Sequence, residues 1–554
     1  MLSTSAPIRN FAGGWGTSVA SAAGISRTVD RLFVRSADEL GAFYGQLADG
    51  VALSADRKSL YIRLHARARW HDGVPITTKD IRYSYDVMDK TDIGGLMRMR
   101  AWLDSFEFVN AREFVVHHRD VFTQSDLDGL ANLHIRPAHY YVNRDPGKAT
   151  LEPPLGSGPY RVAGFDHGYV EYERVPGYWG RDLPVNRGRF NFDRIRYDVY
   201  RDATIARQAI QKGLIDLYEE SDNLHWHTSY DASSLRARGV VQATRRVRRY
   251  VGPQWGLVFN VSREKFSDVR VREALTLLFD FEWQNRVFHF GAQRRAASYF
   301  SGSPYAASGL PSPAELAILE PYRDQLDERV LTQAFRLPVS SGRGNNRAAM
   351  ARAHALLSAA GWTLHQGRLR DANGQPLVVE VGTRDGWSKR LLLPYVEALK
   401  AVGVDARLRL LEGVTAVSYK RQRRFDLFFR DYEVPNPPLP LLPVAFLSAG
   451  ADTQNGMNIG GIRNPVVDDL ILRAQKAPNL NEVTVTLRAL DRVLSWGYYD
   501  ILLSAPDDER FVYWDKFGRP DDEAAQFAFL TDGYVAVIDS WWARGLQGTS
   551  EMRR

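Results

Sequence analysis

The sequence predicts an α/β protein with mixed sheets, long connecting loops and more than one domain. Short alternating or β-branched runs recur between amphipathic helical patterns along the whole chain, which is the pattern of strands and helices interleaved. The chain has 554 residues, 44% of them hydrophobic and 25% charged. That is more than one hydrophobic core supports, so two or three domains are expected, and disordered, collagen-like and coiled-coil chains are excluded. No fixed-period repeat is present, which removes solenoids and propellers.

The elements follow in order. Ser59-Leu-Tyr-Ile-Arg-Leu-His65 alternates polar and apolar residues and reads as a half-buried strand. Asp72-Gly73 is a tight turn, Pro75 an extended position, and Thr77 or Thr78 an N-cap for a helix over Lys79–Asp89. Ile81, Tyr85 and Met88 give that helix its apolar face. Tyr169–Val175, Arg194–Tyr200, Ile215–Tyr218 and Gly256–Asn260 read as strands. Helices are expected at Asp202–Lys212, closing at Gly213, and at Val269–Phe281. Tyr299 to Asn346, rich in Ser, Gly and Pro, reads as long and irregular. Beyond it come a helix Arg347–Ala360, a strand Leu377–Val381 and a helix Leu391–Val402 with Pro394 in its first turn. Arg407–Leu411 and Phe425–Tyr432 read as strands, the second running into the proline loop Pro435–Pro443. Helices at Val466–Gln475 and Glu482–Trp496 complete the pattern.

Composition and motifs exclude more than they assign. Lys+Arg 72 against Asp+Glu 65 gives a net charge of +7, spread along the chain with no basic patch or tail, so no nucleic-acid partner is expected. Cysteine is absent, which excludes disulfides, thiolate nucleophiles, iron–sulfur clusters and Cys-ligated zinc. No apolar run is long enough to span a bilayer; those around Leu391–Leu393 and Leu439–Leu447 are short or broken by proline. Met1-Leu-Ser-Thr-Ser-Ala-Pro7 lacks the charged and apolar regions of a signal peptide. No glycine-rich nucleotide cradle, nucleophile elbow or His-Glu-x-x-His occurs. His225-Trp-His227 would place two rings on one face if it were a strand, but has no third ligand at fixed spacing; its plainer reading is two polar residues flanking a packed Trp226. The carboxylate runs Asp468-Asp469, Asp507-Asp508 and Asp521-Asp522-Glu523 suit solvated faces or helix starts. No enzyme, cofactor or metal is therefore expected. The 13 Trp and 25 Tyr are a heavy load, with Trp15, Trp70, Trp179, Trp255, Trp387, Trp514, Trp541 and Trp542 in loop contexts. Most are read as core, and the remainder suit a cleft with apolar walls and amphipathic rims.

Several stretches resemble a known family. Leu64-His-Ala-Arg-Ala-Arg-Trp-His-Asp-Gly-Val-Pro-Ile-Thr-Thr-Lys-Asp-Ile81 is similar to the signature of the family 5 extracellular solute-binding proteins, the dipeptide, oligopeptide and nickel receptors of ABC importers. Gly156-Ser-Gly-Pro-Tyr-Arg-Val162, Lys212-Gly-Leu-Ile-Asp216, Leu257-Val-Phe-Asn260 and Phe266-Ser-Asp-Val-Arg-Val-Arg-Glu-Ala-Leu275 resemble further patterns of that family. Phe279-Asp-Phe-Glu-Trp283, Gly309-Leu-Pro-Ser-Pro-Ala-Glu-Leu316, Gly344-Asn-Asn346, Ala489-Leu-Asp-Arg-Val-Leu494 and Tyr513-Trp-Asp-Lys-Phe-Gly-Arg-Pro520 resemble its YejA-type branch, associated with oligopeptides and the peptide-nucleotide antibiotic microcin C.

The resemblance implies a two-lobe periplasmic-binding-protein fold of type II, with a hinge and an extra inserted subdomain. Lobe I is expected over residues 1–35, 154–260 and 455–554, the inserted subdomain over 36–153, and lobe II over 261–454, with crossovers at Leu257–Asn260 and Met457–Ile459. It implies a monomeric periplasmic receptor that holds an oligopeptide or peptide-like compound between its lobes and delivers it to ABC permease subunits. The alternative is a cytoplasmic sensor or regulator on the same fold. The resemblance also implies a leader and a strand-bearing segment ahead of Asn10–Gly16, so the chain reads as a mature fragment, a mis-started frame or a degenerate copy, with a sheet edge left unpaired. A second departure is Asp431-Tyr-Glu-Val-Pro-Asn-Pro-Pro-Leu-Pro440, which stands where the branch carries a Gly- and Ser-rich stretch. For ligand contacts, Asp431 lies at the end of a buried strand, and a closed site holding a peptide ammonium needs a carboxylate. Asp431-Tyr432 also resembles the Asp-Tyr that serves the amine in oligopeptide-binding relatives. The other reading is that Asp431 pairs with Arg430 or caps the loop. Asn260, Trp387 and Trp255 are candidates for backbone contacts and stacking walls.

Overall fold

A computed structural model describes the chain apart from residues 5–6, 12–20, 37–38, 40–41, 91–101, 132, 146–147, 221, 231–232, 247–249, 252–254, 345, 385, 412, 432–433, 436–437, 440, 453–456, 506–507, 522–528, 531–535 and 545–554. It divides into two units, Met1–Arg245 with Glu509–Arg554, and Arg246–Asp508. Strands and helices alternate in both, as the pattern predicts.

In the first unit, Leu2–Thr4, Arg194–Val199, Tyr169–Arg174 and Tyr160–Phe165 form a sheet in that order. Leu2–Thr4 lies parallel to Tyr197–Val199 and forms the edge strand of this sheet. A separate antiparallel sheet runs Ala48–Leu53, Ser59–Leu64, Glu113–His118, Leu103–Phe108. Leu60, Ile62 and Leu64 are buried in alternation and pack with Ile81 of the helix Thr78–Lys90, so the period-2 and helical patterns meet in one core. The helix Ala203–Lys212 is capped as its sequence requires: Asp202 accepts from the amides of Thr204 and Ile205, and Gly213 closes it at φ 78°.

The family-like stretches of this unit interlock. The His71 amide donates to the Gly156 carbonyl at 2.8 Å, and its Nε2 lies 2.9 Å from the Gly158 carbonyl oxygen. Gly156 and Gly158 press against residues 27–29; a Cβ on Gly158 would stand 2.6 Å from the Arg27 carbonyl oxygen. Between them, Ser157 Oγ accepts from the Asp30 amide at 2.9 Å. The buried Asp30 carboxyl accepts from Tyr178 Oη at 2.5 Å, Trp179 Nε1 at 2.9 Å and Gln46 Nε2 at 2.9 Å. Burial pushes its pKa up to about 7, against the pull of these hydrogen bonds.

The second unit is built on a five-stranded sheet, ordered Asp405–Leu410, Val378–Thr383, Leu427–Asp431, Trp255–Phe259, Asp500–Leu502. The first three strands run parallel to one another; Trp255–Phe259 is antiparallel to Leu427–Asp431 on one side and to Asp500–Leu502 on the other. Leu427, Phe428 and Phe429 are all buried, the continuous apolar run of a strand covered on both faces. The helices Arg347–Ala359 and Gly386–Ala401 cover one face; Ala416 and Tyr419 of the helix Gly413–Arg421 cover part of the other.

Three expectations change. The chain passes between units at 245/246 and 508/509, rather than at 260/261 and 454/455. The reason is pairing: Trp255–Phe259 sits between Leu427–Asp431 and Asp500–Leu502, inside the second unit's sheet. The helix expected from Leu391 begins at Gly386, which puts Pro394 in its interior and Trp387 in its first turn. The stretch 299–346 contains helices Pro313–Leu319 and Glu328–Thr332. It is held by Asp491 and Arg492 of the helix Leu480–Trp496. Asp491 accepts from the amides of Tyr299 (2.9 Å) and Ala307 (2.8 Å). Arg492 donates to Glu315 at 2.6 Å and to the carbonyls of Ser308, Gly309 and Leu310.

Candidate functional site

The parallel register of Val378–Thr383 and Leu427–Asp431 sets the carboxyl ends of both strands side by side, Gly382 opposite Phe428. The antiparallel strand Trp255–Phe259 begins at that same end, with Trp255 directly opposite Asp431. Carboxyl ends of parallel strands are where open α/β sheets gather ligand groups, because the chain leaves the sheet there and its side chains are free to converge. Four aromatic or imidazole rings converge at this one. Trp255 and Trp387 have ring centroids 4.6 Å apart at 59°. His289, at the end of the helix Phe281–His289, lies 6.0 Å from Trp255 and 6.2 Å from Trp387. Phe429 closes the base, 6.1 Å from Trp387.

Beside this corner Asp431 forms an ion pair with Arg384, the first residue after its neighbouring strand. The two side chains are 38% and 55% exposed. A pair this open is worth ~0–1 kcal/mol, so another charged group can displace either partner at little cost. The ion-pair partner of Asp431 in the structure is thus Arg384, from the neighbouring strand's end.

Trp255, Trp387 and Asp431 are thus brought together, while Asn260 is not. It lies just past the opposite end of the strand that begins with Trp255, five residues or about 17 Å away at ~3.3 Å per residue. It is 2% exposed, and its amide donates to the Arg423 carbonyl at 2.8 Å and the Phe425 carbonyl at 3.0 Å. Its side chain is committed to joining two loops. Tyr432 lies outside the described residues. Sequence reasoning missed Arg384 and His289. Arg384 could have been found as the first charge after a β-branched run, whereas His289 is placed only by tertiary packing.

Other sequence candidates have structural roles. His225 and His227 lie in a short helix, Asn223–Thr228, not on a strand, so two residues apart they point to different sides. Among the described residues no group of three or more His, Cys, Asp or Glu is placed to hold a metal ion. Trp70, Trp179 and Trp541 are core residues. Trp15, Asp507, Asp522 and Glu523 lie outside the described residues. No helix among the described residues is long and apolar enough to cross a membrane.

Chemically, a charge pair this exposed beside an aromatic corner offers a carboxylate, a guanidinium and ring faces. The chain belongs to the bacterial extracellular solute-binding proteins, family 5, whose model matches residues 42–454. It is 33% identical over 517 residues to the protein YejA of Escherichia coli K12, covering 93% of this chain and 83% of that one. It is 32% identical over 532 residues to the probable peptide-binding protein YejA of Agrobacterium fabrum C58, covering 94% and 85%. Among solved structures, the oligopeptide-binding protein AppA from Bacillus subtilis, in complex with a nonapeptide, shares the fold with a TM-score of 0.70 at 17% identity, over 98% of both chains.

Proposed function

We propose that this chain is the substrate-binding receptor of an ABC importer, a periplasmic monomer that captures peptides or peptide-like compounds and hands them to membrane permease subunits. The observation that carries the reading is the Arg384–Asp431 pair set against Trp255 and Trp387. A peptide's terminal ammonium replaces the Arg384 guanidinium on the Asp431 carboxylate, and the adjoining residue lies against the two indoles. Cations favour the faces of such rings, so the corner adds to the attraction. The peptide-binding description of the Agrobacterium relative supports the same ligand class, and peptide–nucleotide conjugates of the microcin C kind fall within it. The two units are taken as the two lobes, and residues 36–153, with their own four-stranded sheet, as a subdomain inserted in the first.

The test is calorimetric titration of tri- to pentapeptides with free and N-acetylated amines. Asp431→Asn should weaken free-amine peptides by more than about tenfold, or ~1.4 kcal/mol, and leave acetylated ones nearly unchanged. Equal loss for both would remove Asp431 from the amine site.

A further inference from the structure

Beside the helix Gly413–Arg421 the second unit carries a cavity of about 780 Å³ that shares no residue with the Asp431 site. Its walls bear four cations, Arg263, Lys265, Arg409 and Arg424, and two carboxylates, Glu380 and Asp426. Both carboxylates are already engaged. Asp426 accepts from Lys265 Nζ at 2.8 Å and from the Glu380 amide at 2.9 Å. Glu380 accepts from Tyr419 Oη and lies 3.4 Å from Arg409, whose guanidinium also covers the Tyr419 ring at 5.0 Å. That leaves Arg263 and Arg424, neither of which has a carboxylate partner among the described residues. Among the described residues the one side-chain hydrogen bond of Arg263 goes to the Arg424 carbonyl at 3.4 Å.

The two loops that carry these arginines are fixed to each other. Asn260 donates to the carbonyls of Arg423 and Phe425 on one side and accepts from the Ser262 amide at 3.3 Å on the other. This buried staple holds the backbones of both arginines in place before any ligand arrives, which lowers the cost of ordering them. Across the cavity, Thr415 and Ser418 stand one turn apart on the helix and offer hydroxyl donors.

We propose that this cavity is a binding site for a phosphate-type polyanion, held by Arg263 and Arg424 with Thr415 and Ser418 as neutral donors. Two forked guanidiniums with a surplus of two positive charges match a dianionic tetrahedral group better than a single carboxylate. Two sources present that chemistry, a free phosphorylated solute and an anionic lipid headgroup, and the experiment separates them. The full chain is titrated with inorganic pyrophosphate by calorimetry and, separately, co-sedimented with phosphatidylglycerol and with phosphatidylcholine vesicles. Pyrophosphate binding that falls at least about tenfold in Arg263→Glu/Arg424→Glu, and is unchanged in Asp431→Asn, establishes the site. Co-sedimentation with phosphatidylglycerol alone, lost in the same variant, identifies the headgroup as the occupant. The milder Arg263→Gln/Arg424→Gln variant replaces the charge reversal if that one does not fold. Absence of binding to both probes, or binding that neither variant changes, overturns the proposal.

Discussion

Asp30 makes the stability of the first unit pH-dependent in a direction opposite to that of most carboxylates. Asp30 is 2% exposed, and the donors that reach its carboxyl are neutral: a phenol, an indole and an amide. Burial disfavours the charged form, and the folded pKa rises to about 7 from an ordinary 3.8. A folded pKa above the unfolded one means that the folded state binds the proton more tightly. The stabilisation is fully present below about pH 4 and is lost as pH rises through 7. At ~1.4 kcal/mol per pKa unit, the linkage amounts to about 4 kcal/mol in full, of which ~2–3 kcal/mol falls between pH 5 and 8. His71, on the adjoining Gly156–Gly158 segment, works against it. Burial depresses its pKa, so acidification through the histidine range costs stability. Asp491, buried in the second unit, works in the same direction as Asp30, with a pKa raised to about 6. The quantity to measure is therefore a difference: urea unfolding of wild type and Asp30→Asn at pH 5, 6, 7 and 8, followed by tryptophan fluorescence, to which Trp179 contributes from directly against the carboxyl. Asparagine cannot reproduce all three hydrogen bonds, so the variant is less stable throughout. Its deficit should shrink by ~2–3 kcal/mol from pH 5 to pH 8, while the contributions of His71 and Asp491 cancel. A deficit that is constant with pH would show that Asp30 is ionised throughout and would refute the linkage.

Two further outcomes are expected in the second unit. Arg492→Met leaves Glu315 buried without its guanidinium and strips donors from the carbonyls of residues 308–310, so urea unfolding should register a loss of ~3–5 kcal/mol. Adding Glu315→Gln should restore part of that loss, and no recovery would mean that the carbonyl contacts carry the effect. Arg384→Ala should raise the affinity of free-amine peptides up to about fivefold in the same calorimetric titration, because the ammonium no longer displaces a guanidinium worth ~0–1 kcal/mol. A fall in affinity would mean that Arg384 holds the ligand itself.

Elements whose patterns are local are legible in the amino-acid sequence alone. The alternation in Ser59–His65, the helix expected over Asp202–Lys212 and its closing Gly213 depend on residues within one strand or a few helical turns, and they appear where the pattern puts them, the helix starting one residue later with Asp202 as its cap. Boundaries set by tertiary contact are not legible in this way. Trp255–Phe259 carries no mark of which unit it joins, since any apolar strand can pair with either sheet; only its partners at 427–431 and 500–502 decide. The helix begins at Gly386 and carries Pro394 in its interior, against that residue's local preference. At the site, Asp431 is legible as a charge at the end of a buried run. Its neighbour Arg384 belongs to another strand, and the sequence holds no register between the two. Asn260 misleads for a related reason: a polar residue at a strand end looks the same whether it faces a ligand or joins two loops.

The family-like stretches differ in kind from the residues proposed to contact the ligand, and this difference decides what each can reveal. Trp70-His71 meets Gly156-Ser-Gly158, and Asp491-Arg492 meets Ser308–Leu310 and Glu315. Each is half of a buried contact between segments far apart in the chain. A change in one half leaves a buried polar group or a steric clash in the other, so such pairs are constrained together whatever the ligand is. That constraint is why they identify a fold. Asp431 and Arg384 are under a weaker constraint, since their charges are exposed. The stretches that identify the family are thus silent on the ligand for a physical reason, and the ligand must be read from the few residues that the fold leaves free. On the function proposed above, those residues present one carboxylate with a displaceable counter-ion beside two indoles, an arrangement suited to a cationic group carried next to an apolar one. The free amine of a peptide with an apolar first residue satisfies both requirements at once, whereas an acetylated amine satisfies only the second.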